Sequence, residues 1–590
     1  MAAVDDPLNR FLVAALVLPA ALLICASGKS QVPVSSPPKR EVRAVWLTTV
    51  LGLDWPKSTN TEEQQRSLVE IVDRLSRARF NTIYFQVRSR ADALYRSEFE
   101  PWSQQLTGTL GLDPGYDPLA LIIREAHARG MEVHAWINAF FVRSGKAPPP
   151  PSVPPHVALS HPEWLHLIEG DWWLDPGIPA ARRFVLSVAM DIVRRYDVDG
   201  IHFDYLRYPD KLFPDEAVYR RYGGSLSKED WRRENITKFV RAFYDSASAL
   251  KPMLKVGCAP IGIYANVGNV RGLQGYSDVY QDARGWLSDR KLDYLVPQLY
   301  WPLGQRPGSP DFAEIAGDWA AHAYGRDVYP GIGAYKPEVF DQLPRLIDVS
   351  RSLGFRGNSF FRYGNIERAL DLGGRYQTLA NIPPMKWKDS IPPNPPRGFR
   401  VSSKGGGVFR LEWDAPAPAG DGDIASCYDV YRSRSSPVDV SDPANLVAIV
   451  RRGDTQRDDT ILRPAGARYF YACSSLDKGN NESRAVEQAA FIPEIAEALR
   501  PFSPGLNLGR NYPDPASSLV FIPYEIREAV FVSLTILDAE NRELLQIVKG
   551  LQPAGSYVAA ADISRLRTGL YGYRLTAGTY SRRESFRVSR

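Results

Sequence analysis

Histidine and cysteine are scarce in this chain, seven and four among 590 residues, and that scarcity narrows the chemistry. The histidines are scattered, with no His-x-x-x-His pair of the helical zinc type, so no metal site is expected. His127, His156, His161 and His166 fall on helix or loop positions that read as solvated, whereas His134 and His202 fall on strands. No glycine-rich loop joins a strand to a helix, which removes the usual phosphate cradle, and no cofactor is expected. Charge of one sign is not concentrated either. The 72 basic and 67 acidic residues leave a net charge of +5 without a polybasic run, which argues against nucleic acid as a partner.

The four cysteines say little about the fold. Cys25 lies in a leading segment, and Cys258 lies on an apolar strand, where a buried thiol is the plain reading. Cys427 and Cys473 leave two readings open. If Tyr431 pairs with Tyr469 on antiparallel neighbours, Cys427 stands opposite Cys473 and a cross-strand disulfide is permitted; otherwise they are separate thiols.

The apolar run from Phe11 to Ile24, 14 residues, is too short for a comfortable membrane span, and small residues follow at Ala26-Ser27-Gly28. Residues 1–28 therefore read as a signal peptide, although Asp5 and Asp6 outnumber Arg10 ahead of the run. Leu22-Leu23-Ile24-Cys25 resembles a lipoprotein box, with Ile24 where that signal wants a small residue. Export to the cell surface or medium is expected, or to the periplasm if nothing at the other end of the chain acts as a sorting signal.

What is present is periodicity. After a linker at 29–40, residues 41–390 alternate apolar strand-like runs with amphipathic helical ones, the pattern of a parallel α/β fold. Eight strand runs can be counted, at 42–49, 82–88, 132–138, 200–206, 255–261, 293–301, 328–335 and 357–363. Helices are expected at 62–79, 119–129, 180–196, 228–250 and 339–353, with Gly130 and Gly354 at C-terminal positions. Eight such units in about 350 residues predict a (β/α)8 TIM barrel with enlarged loops.

Two all-β units follow. A proline-rich linker at 391–396 leads to short alternating strands over 397–493, which predict a β-sandwich. A second linker, 494–505, precedes a third unit at 506–590, for which the resemblance described below implies a second β-sandwich, immunoglobulin-like. At 590 residues the chain is too long for one core, which fits several domains; a monomer is expected.

The stretch from Val198 to Pro209 carries the strongest chemical signal. In Gly200-Ile201-His202-Phe203-Asp204-Tyr205 the two-residue period puts His202 and Asp204 on one face and Ile201 and Phe203 on the other. A carboxylate at the carboxyl end of a barrel strand is where TIM-barrel enzymes place catalytic groups. Asp204 is accordingly the first catalytic candidate, with capping of the following segment as its plainer reading. Gln86 and Arg88, Trp136 and Asn138, and Gln298 and Tyr300 share a phase on their own strands and can converge on the same mouth. Amides and guanidinium groups there suit a hydroxyl-bearing ligand, and Trp55, Trp136, Tyr205, Tyr300 and Trp301 offer flat apolar faces. With His202 these form the expected substrate-binding set: Gln86, Arg88, Trp136, Asn138, His202, Tyr205, Gln298, Tyr300 and Trp301.

Several ordered blocks resemble the glycosyl-hydrolase-like 10 family. They are Glu41-Val42-Arg43-Ala44-Val45-Trp46, Phe85-Gln86-Val87-Arg88, Asp113-Pro114-Gly115-Tyr116-Asp117-Pro118, His134-Ala135-Trp136-Ile137-Asn138, Asp175-Pro176-Gly177, the 199–209 motif and Val296-Pro297-Gln298-Leu299-Tyr300-Trp301. The resemblance covers about residues 41–390. It implies an exported bacterial glycoside hydrolase whose substrate is a polysaccharide, with peptidoglycan glycan strands lacking peptides as one option. Such hydrolysis normally uses two carboxyl groups, about 5 Å apart in retaining enzymes and about 6.5 to 9.5 Å apart in inverting ones. Amylase-type barrels carry an Asp at the position of Asp204 and a Glu after strand five, but residues 257–262 hold no acid. The nearest acids in the following loop are Asp278 and Asp282, with Asp282 favoured as general acid over its reading as an acid in a helix's first turn. A chitinase-like motif matches at Asp199, Gly200 and Asp204, but His202 and Leu206 replace its other acids. A non-catalytic glycan-binding barrel is the alternative, because the second acid is not evident.

The β units carry resemblances of their own. Trp413, Tyr469-Phe470-Tyr471 and the Asp477 to Ser483 turn are similar to fibronectin type III modules. Asn511-Tyr512-Pro513, Val532-Ser533-Leu534-Thr535 and Gly569-Leu570-Tyr571-Gly572-Tyr573 resemble the C-terminal sorting domain of type IX secretion cargo, which implies outer-membrane secretion machinery as a partner.

Overall fold

The computed structural model describes residues 37–305, 309–405, 408–451, 453–461, 468–491 and 506–589. The expected signal peptide and the linker at 494–505 lie outside the described residues. Among the described residues no helix is long and apolar enough to cross a membrane.

Eight parallel strands form the first domain. They are β1 (Val42–Leu47), β2 (Thr82–Arg88), β3 (Glu132–Asn138), β4 (Gly200–Asp204), β5 (Lys255–Cys258), β6 (Tyr294–Leu295 and Gln298–Leu299), β7 (Asp327–Val328 and Gly331–Gly333) and β8 (Gly357–Phe361). Pairing runs from each strand to the next and from β8 back to β1, so the sheet curls into a TIM-like barrel.

Alternation along the strands explains why the sheet curls this way. Val45 and Leu47 of β1, Ile83 and Phe85 of β2, Val133 and Ile137 of β3, and Ile201 and Phe203 of β4 face outward into the helix layer. Trp46, Tyr84, Trp136 and Tyr294 fill the interior. Glycine makes room for them at close approaches: a Cβ on Gly257 would lie 2.3 Å from the Tyr294 ring, and one on Gly331 would lie 2.8 Å from Trp46.

The helices begin where the sequence offers caps. Asn60 accepts from Glu63 N ahead of Thr61–Arg77, Asp117 from Ala120 N ahead of Pro118–Ala128, and Ser227 from Asp230 N ahead of Lys228–Leu250. Three expectations change in the structure, and proline explains each. The run 293–301 is broken around Pro297 and the run 328–335 around Pro330, since neither residue has an N–H for the ladder. The single helix expected at 339–353 is two, Pro337–Phe340 and Leu343–Ser352, because the ring of Pro344 cannot sit inside a continuous turn.

Two antiparallel sheets share the next core. Arg397–Gly405, Val408–Asp414 and Gln456–Thr460 form one; Leu446–Arg451, Cys427–Ser433, Arg468–Leu476 and Val486–Phe491 form the other. Trp413, Tyr428, Val430, Tyr471 and Cys473 meet between them. The register corrects one option left open by the sequence. Tyr431 pairs with Ala472, Cys427 with Leu476 and Cys473 with Val430, so the two cysteines are not opposite and both are free thiols. Register follows burial: Tyr428 and Val430 must share the inner face with Tyr471 and Cys473, and the odd-numbered offset turns Cys427 to the other face. Residues 506–589 form a further pair of antiparallel sheets, of three and four strands, around Val532, Leu534, Ile536, Tyr573 and Leu575.

The first of these β domains docks on the amino-terminal end of the barrel. Lys39 and Arg40, just ahead of β1, pair with Glu482; Lys478 pairs with Asp197, ahead of β4; and Asn480 donates to Glu132 at the start of β3. That leaves the carboxyl ends of the strands at the opposite end.

Candidate active site

Asp204 ends β4, and the chain turns sharply after it. Tyr205 adopts a left-handed backbone conformation, φ 50°, and its N–H donates to Asp204 Oδ1 across 2.7 Å. Burial lifts the Asp204 carboxyl to about 6, while the Tyr205 N–H and the Arg207 charge pull the other way. A carboxyl group poised there can both hold and release a proton near neutral pH. Gln298 Nε2, on β6, stands 3.5 Å from the same oxygen. Burial and the nearby Asp204 charge raise the Tyr300 hydroxyl well above its usual value, so it remains a donor.

Two aromatic groups flank this carboxylate. On one side Tyr205 packs on Phe141 at 4.9 Å and Trp173 at 5.6 Å, and the Arg207 guanidinium lies 5.3 Å over Trp173 and 5.2 Å over Tyr205. Phe141 and Trp173 belong to a small antiparallel sheet, Phe141–Ser144, Leu165–Ile168 and Asp171–Leu174, inserted after β3. On the other side Tyr300 stacks on Phe361 at 5.6 Å and meets the edge of Tyr335 at 5.8 Å. Trp301 carries Lys336 5.9 Å from its ring.

The β3 residues complete the wall. Asn138 is the register partner of Asp204 and Trp136 that of His202. Asn138 donates to Ser89 O, and its Oδ1, like Trp136 Nε1, is buried without a hydrogen-bond partner. Such orphaned atoms beside an acid are the positions a polar ligand would satisfy.

Other residues anticipated as substrate contacts have structural duties instead. Gln86 Oε1 accepts from Thr49 N at 3.0 Å and Val50 N at 2.9 Å, pinning the loop after β1. Arg88 is fully buried and forks onto Glu100 and onto the Asn138 carbonyl. Trp55 is buried, its indole N–H bonded to Gln64 O.

His202 lies one layer below the mouth, fully buried and stacked on Tyr84 with centroids 4.2 Å apart. Trp46 Nε1 donates to its Nε2 at 3.0 Å, which leaves the proton on Nδ1, 3.2 Å from Tyr294 Oη. Tyr294 in turn donates to His134 Nδ1 at 2.7 Å, and His134 Nε2 faces Glu132 at 3.2 Å. Burial, reinforced by His134, holds His202 well below the usual histidine value. The chain continues from Glu132 to Lys255 Nζ at 2.6 Å, so both histidines are core groups with satisfied nitrogens.

Asp282 and Asp278 sit in the loop after β5 but are engaged there. Asp282 caps the helix Ala283–Ser288, accepting from Gly285 N at 3.0 Å and from the Tyr264 hydroxyl at 2.7 Å. Asp278 accepts from Gln274 N at 2.8 Å and pairs with Lys211 at 2.7 Å, which brings its carboxyl below the ordinary value against the cost of burial.

The glycosyl hydrolase-like 10 model matches residues 41–338. Glycosyl hydrolase YngK of Bacillus subtilis is 32% identical over 484 residues, 76% of this chain and 92% of its own length. The chain belongs to the glycosyl hydrolase-like 10 family. Glycosyl hydrolase DigH of Escherichia coli K12 is 34% identical over 365 residues, 55% of this chain and 82% of its own length. Among solved structures, the PgaB glycoside hydrolase domain of Bordetella bronchiseptica aligns with 58% of this chain and 99% of that domain at 15% identity and a TM-score of 0.41, a likeness too distant to carry an argument. Membership in the family supports a glycosidase-type function.

For this family member, sequence reasoning passed over Arg207, Tyr335, Phe361, Phe141 and Trp173. Arg207 carried a signal, three residues past Asp204. The aromatics come from loops and an inserted sheet whose approach to β4 no local pattern announces.

Proposed function

We propose that the barrel hydrolyses O-glycosidic bonds in a polysaccharide containing N-acetylhexosamine, with glycan strands of peptidoglycan as the leading substrate. The observation that carries this reading is the Asp204 carboxyl, at the end of β4 and lifted by burial to about 6. A group with that value serves as the general acid that protonates the departing glycosidic oxygen. Gln298 orients it, and the aromatic walls take the apolar faces of the sugar rings.

The expected carboxylate pair is replaced in this proposal. Asp282 caps a helix and Asp278 is paired with Lys211, so neither is favoured as a partner. The acetamido oxygen of the substrate is the nucleophile instead: it bonds to the anomeric carbon as the glycosidic C–O bond breaks and the Asp204 proton moves to the leaving oxygen. Water then opens the ring so formed, with Asp204 taking its proton. Substrate assistance of this kind is an established exception to two-carboxylate catalysis.

The chain is proposed to act outside the cytoplasm, sent there by residues 1–28 and held at the surface by residues 506–590, with the fibronectin-like unit between as a spacer. A second reading, a glycan-binding barrel without turnover, draws on the engagement of both Asp282 and Asp278 in bonds of their own.

Incubation with peptide-free glycan strands and with chitooligosaccharides, followed by reducing-end and mass analysis, separates the two. New reducing ends with the wild type, and at least about a thousandfold fewer with Asp204→Asn, support hydrolysis; the loss corresponds to about 4 kcal/mol of barrier. Binding without any products supports the second reading.

A further inference from the structure

Far from Asp204, three aspartates from three separate segments converge at the seam between the barrel and the first β domain. Asp389 follows the last barrel segment, Asp423 lies in the connection before Cys427–Ser433, and Asp477 opens the turn after Arg468–Leu476. One carboxylate oxygen from each lies within 4.8 Å of the others. Among the described residues none of the three joins an ion pair, so their charges face one another without a cation.

The oxygens of Asp477 differ in use. Its Oδ1 accepts from Asn481 N at 2.9 Å, while its Oδ2 is buried with no hydrogen-bond partner, although the residue is only 1% exposed. A carboxylate oxygen taken out of water and left unpaired costs several kcal/mol, and proteins meet that cost by pairing or by metal coordination. Asp389 Oδ2 accepts only from the Asn481 side chain at 2.8 Å, and Asp423 has no side-chain hydrogen bond among the described residues.

We propose that Asp389, Asp423 and Asp477 hold a calcium ion that ties the end of the barrel to the first β domain. Calcium binds oxygens at about 2.3–2.6 Å, so two ligands across one ion stand up to about 5 Å apart, which accommodates the observed separations. The donor set is all oxygen, with neither imidazole nor thiolate, and suits a hard cation rather than zinc.

The position gives the ion a task. The Asp477 to Asn481 turn also carries Lys478 to Asp197 and Asn480 to Glu132 on the barrel. Fastening that turn to Asp389 and Asp423 fastens both the linker and the docked face.

The test is calcium titration of the chelator-stripped full-length chain by calorimetry and thermal melting, with magnesium in parallel. One site with a dissociation constant on the order of 10⁻⁵ to 10⁻³ M is expected, with a saturable rise in Tm. Asp423→Asn should weaken binding at least tenfold and abolish the rise. In chelator the same variant should melt no lower than the wild type, because it removes repulsion; a merely structural Asp423 would lower Tm in both conditions. No calcium heat and no Tm response in the wild type would overturn the proposal, as would a response unchanged in Asp423→Asn or an equal response to magnesium. A Tm that ignores calcium and rises only on acidification would mark a shared proton instead of an ion and would equally overturn it.

Discussion

The hydroxyl of Tyr294 donates to Nδ1 of His134 across 2.7 Å and, by the same oxygen, receives the Nδ1 proton of His202 at 3.2 Å. The Trp46 N–H fixes the His202 tautomer and the phenol passes that choice on to His134, so the interior below the mouth is a polar chain rather than an apolar plug. Satisfied networks of this kind specify a unique core, and their partial loss is costly.

Tyr294→Phe removes the shared oxygen and leaves both imidazoles with an unpaired buried nitrogen. The expected loss is about 2–4 kcal/mol of stability, read from denaturant midpoints. Glycan turnover well below the melting point should change little, since Asp204 makes no bond to Tyr294.

Asp204 itself should destabilise the fold at neutral pH. Its folded value, about 6, lies above the ordinary aspartate value of about 3.9, so between the two the folded chain keeps a proton that the unfolded chain has released. Stability from this group is therefore full below about pH 4, falls as pH rises towards 6 and stays lower above it, by about 3 kcal/mol. Asp204→Asn should be more stable than the wild type at pH 7.5 and nearly equal at pH 4, in paired denaturant titrations. As a general acid, Asp204 should also give a rate that declines as pH rises through about 6.

The alternation in β1 to β4 was legible because each strand is buried on both faces by different layers, so outward Ile201 and Phe203 and inward His202 keep a two-residue period. The same period could not separate a mouth residue from a core one. His202, Arg88 and Gln86 share a phase with Asp204 or point to the same interior, yet each is consumed by a partner distant in sequence: Trp46 and Tyr294, Glu100, and Thr49 with Val50. Partners at separations of 156 residues, as for Trp46 and His202, leave no local trace. Asp282 was readable either way, since an acid just ahead of a helix in a loop after a barrel strand suits both capping and catalysis.

The Arg88–Glu100 pair gives a test of structural duty against substrate contact. Both side chains are fully buried, so Glu100→Gln leaves an arginine charge uncompensated in the barrel wall, at a cost of about 3–5 kcal/mol. Chemical denaturation should show that loss. KM for glycan strands, measured where the variant is still folded, should stay within about twofold of the wild type, whereas a sugar-binding Arg88 would move KM first.

Deleting residues 506–590 should leave barrel turnover unchanged and remove the chain from the cell surface. The reasoning joins two independent points. Catalysis in a TIM-like barrel draws on the carboxyl ends of its own strands, and every group placed around Asp204 here lies between Trp136 and Phe361. Residues 506–589, for their part, build a core from their own side chains, Leu534, Ile536, Tyr573 and Leu575 among them, and among the described residues no barrel side chain belongs to that cluster. Fractionation of cells expressing the truncated chain, alongside activity measurements on the purified protein, checks both halves. Normal surface display of the truncation would defeat the sorting role; lost turnover in a truncation that melts as the parent does would mean that the last domain helps to build the glycan site.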